Sequence, residues 1–181
     1  ELDLSFSIGL GEAPMHGQDL KSLIERVDKA MYQSKLVFGR GGILGLSATL
    51  AKQSGASRTS PILRGNWVAE VILGDRLPPP PKDVPRLPED EATEALTVRQ
   101  LTEQHSSDPR CAGCHVLIDG YGFALEGYDA IGRARTRDLA DRPIDTRATL
   151  IDGTPVDGAS DLRTYLLTRK RDVVLRQFCR K

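Results

Sequence analysis

The chain has 181 residues, of which 39% are hydrophobic and 28% charged, so it holds one ordinary domain or two small ones and excludes wholesale disorder. Its 25 basic and 25 acidic residues cancel, leaving no global field that would draw in nucleic acid or an anionic membrane. No segment reaches the roughly 18 consecutive apolar residues of a membrane span, no basic-then-apolar secretion signal is present, and three cysteines are too few for a disulfide scaffold.

The chain opens at Glu1 with Leu2, Leu4, Phe6 and Ile8 alternating with polar positions, the period of a strand, so the sequence is expected to begin inside a fold and to be a fragment. After a loop at Gly11 to Gly17, Asp19 is the expected N-cap of a helix running to about Lys35. Its apolar face is Leu20, Leu23, Ile24, Val27, Ala30 and Met31. Phe38-Gly39-Arg40-Gly41-Gly42 interrupts the pattern and marks the expected boundary between residues 1–40 and the rest.

Beyond it, Ile43 to Leu50 is a short apolar run, Ser54 to Pro61 is turn-like, and Asn66 to Leu73 is expected to form a short helix. Pro78 to Pro81, continued by Pro85 and Pro88, impose an extended strap that closes a module over residues 41–88. Residues 89–181 form the last expected module. It opens with a charged helix from Glu89 to about His105, Leu96 and Leu101 facing inward, ended by Asp108-Pro109. Short strands follow between Ile144 and Val156 about the turn Asp152-Gly153, then a terminal helix from Leu162 to Arg180. No internal repeat is evident. Acidic residues dominate Asp83 to Asp108 and basic ones Asp161 to Lys181, a pattern read as two solvated faces.

Cys111-Ala112-Gly113-Cys114-His115 has the order and spacing of c-type haem attachment. Haem c is held by two thioethers and an imidazole on the iron. One helical turn brings Cys111 and Cys114 to one face, with His115 beside them as the iron ligand. The competing reading is a structural zinc site, which needs a fourth ligand; His105 is the nearest, and no second Cys-x-x-Cys pair accompanies it. The distal iron position is unassigned, because no Met or His follows His115. His105 is the candidate in the same module, whereas Met15, His16 and Met31 lie in the other piece. Trp67, Tyr121, Phe123 and Tyr128 are read as packing groups, Glu126 and Asp129 as surface or capping carboxylates, and Cys179 as a buried thiol. No nucleophile, base and orienting acid form a set, so no catalytic residue is assigned.

Arg58-Thr59-Ser60-Pro61, Arg64-Gly65-Asn66-Trp67, the proline run to Val84-Pro85, the haem motif, Gly122 to Glu126, Tyr128 to Gly132 and Arg135-Thr136-Arg137 resemble the C-terminal modules of planctomycete-type cytochrome c proteins. The resemblance covers about residues 41–181. In that family a Met and an Asp-Pro pair follow the haem histidine, and Ile118, Asp119 and Gly120 occupy those places here. It implies a mainly α, loop-rich, cytochrome c-like module of a large multidomain protein, exported or periplasmic, with haem c as cofactor, an unidentified redox partner, and electron transfer as the function.

Residues 2–40 resemble the last strand and helix of a GGDEF diguanylate cyclase, through Ser5 to Gly9, Val27 to Lys35 and Gly39-Arg40. That resemblance implies an α/β fragment of cytoplasmic origin in which Lys35 and Arg40 would hold nucleotide phosphates. It lacks the metal-binding hairpin, so no cyclase activity is expected of it. Since the two resemblances imply different compartments, the expectation is a chimera with its seam at Gly39 to Gly42. The alternative function is an inert cyclase fragment.

Overall fold

The computed structural model describes residues 42–79, 87–88 and 91–179. The strand and helix expected within residues 2–40, with Met15, His16, Met31, Lys35 and Arg40, lie outside the described residues, as do Pro80, Pro81 and Pro85.

A 3-10 turn at Ile43–Gly45 leads into α1 (Ser47–Lys52). After a tight loop bridged between Ser54 and Thr59, α2 (Pro61–Trp67) begins where its sequence demands. Ser60 accepts from the backbone N–H of Leu63, and Pro61 fills the first helical position, where its missing N–H costs nothing. The helix expected at Asn66 to Leu73 is therefore present but starts earlier. It continues without a break into a π-helical segment, Val68–Leu73, closed by Gly74 in the left-handed conformation.

The charged helix begins later than its composition suggests. α3 spans Val98–Ser106, its start fixed by a capping box in which Thr97 and Gln100 satisfy each other's backbone N–H groups. Residues 91–93 form a turn, because Glu91 is drawn inward to the Arg135 guanidinium at 3.0 Å while Arg142 donates to the carbonyls of Glu91 and Glu94. Val98 and Thr102 face inward, and Leu96 is exposed.

α4 (Pro109–Ala124) is the central element. Asp108 caps it by accepting from the N–H of Arg110, and Pro109 again stands at its first position. A Cβ at Gly65 would collide with the Ile118 carbonyl oxygen, and one at Gly122 with that of Pro61. The two glycines thus let α2 and α4 cross backbone against backbone. Around this crossing lies one hydrophobic core in which Leu44, Val68 and Ile72 pack with Ile118, Leu125 and Leu162. Elements on both sides of the proline strap contribute to it.

Two successive loops after α4 share a construction the sequence reading did not single out. Asp129 accepts from the N–H groups of Ile131 and Arg133 and pairs with the Arg133 guanidinium; Asp138 does the same with Ala140 and Arg142. Each loop turns through a left-handed residue, Gly132 in the first and Asp141 in the second. The expected short strands follow as an antiparallel pair, β1 (Arg147–Thr149) and β2 (Pro155–Asp157), with Ala148 opposite Val156.

The single terminal helix is in fact two, α5 (Gly158–Thr168) and α6 (Arg171–Cys179). The apolar stripe of α5, Leu162, Tyr165 and Leu166, ends before Arg169-Lys170-Arg171, which have nothing to bury; the chain is re-aimed there so that Val173 and Val174 reach the core. Among the described residues the architecture is mainly α and loop-rich with one small sheet, as expected for the part from about residue 41 onward. Among the described residues no helix is long and apolar enough to cross a membrane.

Candidate functional site

Near the start of α4 the three motif residues come together on one turn. At 3.6 residues per turn, Cys111, Cys114 and His115 fall within about 100° of arc. Both cysteines are free thiols, Cys111 buried and Cys114 half-buried with its Sγ 4.0 Å from the Pro78 carbonyl oxygen. The His115 side chain is 7% exposed.

One turn further along, Asp119 Oδ1 lies 2.8 Å from His115 Nδ1. An ionised carboxylate can only accept, so the ring nitrogen facing it carries the hydrogen, and in the neutral ring Nε2 then keeps its lone pair. A histidine that gives one N–H to a carboxylate and keeps the other nitrogen basic has the arrangement found behind metal-ligating imidazoles. Asp119 did not enter the sequence-derived site, although its four-residue spacing from His115 was a usable signal.

His105, at the end of α3, packs edge-on against the same ring, with centroids 4.9 Å apart and planes inclined by 67°. Burial, and then the neighbouring His115, lower its pKa against the opposing pull of Asp119 and Asp108. The contact is ring on ring, with no room for a macrocycle between the two imidazoles.

Beside His115 an open cavity of about 380 Å³ is lined by Asp119, Val116, Phe123, Arg99 and Thr149, among others. The Arg99 guanidinium lies 4.3 Å from the centre of the Phe123 ring, held there by Glu103 and by the carbonyls of Asp145 and Arg147. Phe123 therefore faces the site, whereas Ala124 and Leu125 are directed into the core.

The remaining candidates separate cleanly. Tyr121, Phe123 and Tyr128 are buried, and Trp67 packs partly buried against the core. Cys179, expected to be buried, is exposed at the end of α6, which has no buried residue of its own. Glu126 is also the reverse of its expectation. It is buried between Arg64 and Arg135, accepting from Thr59 Oγ1 at 2.7 Å and from Arg135 at 3.2 Å. Burial pushes its carboxyl upward, and the two guanidinium groups oppose that shift. Arg64, fully buried, donates to the carbonyls of Leu125, Tyr128 and Asp129 and to Ser54 Oγ. This network ties the end of α4 to α2 and serves the fold. The contacts that join Thr59 and Arg64 to residues 125–129 span more than 60 positions in sequence, so no local pattern reveals them.

The donor set suits a covalent haem. Two thiols and an oriented imidazole stand on one turn, and the thioether chemistry asks for nothing else from the side chains. Zinc finds no such support, since among the described residues no group of three or more His, Cys, Asp and Glu is placed to hold a metal ion.

A family model described as PSCyt3, protein of unknown function (DUF1588), matches residues 40–138. That span is more than half of the chain and includes α1 to α4 and the Cys-x-x-Cys-His motif. No curated protein and no solved structure matches the chain. The cyclase-like reading of residues 2–40 gains no support from these comparisons.

Proposed function

The chain belongs to the PSCyt3 family, and from that premise and the geometry around His115 we propose that it is a c-type haem-binding module that transfers electrons. The observation that carries this reading is the conjunction of two free thiols with a buried histidine whose Nδ1–H is held by Asp119. Cys111 and Cys114 would form the thioethers and His115 Nε2 would meet the iron; the bound haem supplies a one-electron couple. The chain's own part is to bury and orient. Asp119 fixes the imidazole, Phe123 and Arg99 wall the cavity beside it, and His105 at the end of α3 packs on the ring. Seating the ring requires His105 to separate from His115, since the two imidazoles touch. Once separated, His105 would be the candidate second ligand to the iron. Covalent haem attachment takes place outside the cytoplasmic membrane, so the module is exported or periplasmic.

The test is expression of the whole chain with a periplasmic export signal and a haem-attachment system, followed by denaturing electrophoresis with a haem stain. The reading expects a stained band that survives denaturation and is lost when Cys111 and Cys114 are both replaced by Ala. An unstained wild-type band would refute it.

A further inference from the structure

Resting on the haem reading, we propose that Asp119 is the positioning residue of His115, presenting Nε2 to the iron and biasing the bound iron toward its oxidised state by its negative charge. Three observations carry this. The Oδ1–Nδ1 separation is 2.8 Å, within the range of a charge-assisted hydrogen bond. Both side chains are largely withdrawn from solvent, at 7% and 15% exposure, so the carboxylate is little screened. Among the described residues the ion-pair partner of Asp119 is His115, and no Lys or Arg lies within ion-pair distance of it.

The consequence for the couple follows from electrostatics. Oxidation removes one electron from the iron and leaves one more positive charge there, with no bond made or broken. A carboxylate one imidazole away stabilises that extra charge and makes the ring a stronger electron donor. A backbone carbonyl in the same place would orient the ring equally well and contribute far less charge. This separates Asp119 from an ordinary helical i, i+4 pair, whose removal slightly weakens the helix and alters no potential.

Asp119→Asn keeps an acceptor oxygen of the same shape and removes the charge; Asp119→Ala removes both; Asp119→Glu restores the charge. All three and the wild type are prepared with haem attached and titrated with dithionite and ferricyanide. Asp119→Asn is expected to raise the reduced-to-oxidised ratio at a fixed potential at least tenfold, a shift of 59 mV or more for a one-electron couple. Asp119→Glu should recover part of it. Nitrogen NMR on haem-free protein gives a second readout, with the His115 proton on Nδ1 in the wild type and on Nε2 in Asp119→Ala. An unchanged midpoint in both Asn and Ala variants with haem attached, or a wild-type His115 protonated at Nε2, overturns this inference alone. A wild type that takes up no haem overturns the functional reading and this inference together.

Discussion

Replacing Gly122 with Ala tests the crossing on which the site is built. The added Cβ would lie 2.6 Å from the Pro61 carbonyl carbon and 2.9 Å from its Cα, where carbon atoms settle at about 3.5–4.0 Å. Both obstacles are backbone, so no rotamer relieves the clash and α2 must retreat by about 1 Å. Overpacking of this kind costs about 1–3 kcal/mol or more, and with no side chain able to give way the upper end applies. Alanine returns about 1 kcal/mol of helix propensity, leaving a net loss of about 2 kcal/mol. For a chain of this size that is a fall of about 4–8 °C in melting temperature. Gly113→Ala, in the same helix, is the control: nothing lies within 4 Å of its Cβ, so it should gain about 0.5–1 kcal/mol. Urea unfolding of the two variants in the haem-free protein reads the difference directly. A Gly122→Ala protein as stable as Gly113→Ala would refute the close crossing.

Two further predictions concern the charges that hold the loops around the site. Arg64→Met deprives three carbonyls and the Ser54 hydroxyl of their donor and leaves Glu126 with one guanidinium partner fewer; the expected loss is about 3–5 kcal/mol by urea unfolding, and a loss below 1 kcal/mol would contradict the network. The second is acid sensitivity. Burial raises the pKa of Asp138, but the N–H and guanidinium of Arg142 outweigh it and hold the carboxyl below its usual value, while Arg147 holds that of Asp145 at about 2. A carboxylate with a depressed folded-state pKa contributes stability that is present above its unfolded value and lost as pH falls through the folded one. Melting temperature should therefore begin to fall below about pH 4 and continue falling toward pH 2, with a shallower acid limb in Asp138→Asn. Glu126, pushed upward by burial, works in the opposite sense, so its contribution declines as pH rises. A melting temperature unchanged between pH 5 and pH 3 would contradict the roles given to Asp138 and Asp145.

What the sequence disclosed and what it hid divide along range of interaction. The grouping of Cys111, Cys114 and His115 on one turn was legible because they stand at adjacent positions, and the antiparallel pair about Asp152-Gly153 because turn and alternation are local. The start of α3 was misplaced because composition from Glu89 onward is helix-compatible, while the residue that forbids it, Arg135, lies 44 positions away from Glu91. Glu126 was read as a surface group for the same reason, since its partners Thr59 and Arg64 come from another helix and loop. The break between α5 and α6 was visible in principle, in the basic triplet Arg169-Lys170-Arg171 that interrupts the apolar stripe. The repeated Asp-x-x-x-Arg loops at Asp129 and Asp138 were likewise present in the sequence, nine residues apart, but only the shared hydrogen bonding gives the spacing a meaning.

The reading of the whole molecule rests on what Cys111 and Cys114 carry, and the haem stain of denatured, exported protein measures that directly. Covalent haem in the wild type, absent from the Cys111→Ala, Cys114→Ala double variant, is the predicted result. Colourless wild-type protein made beside a control cytochrome that does acquire haem would contradict it.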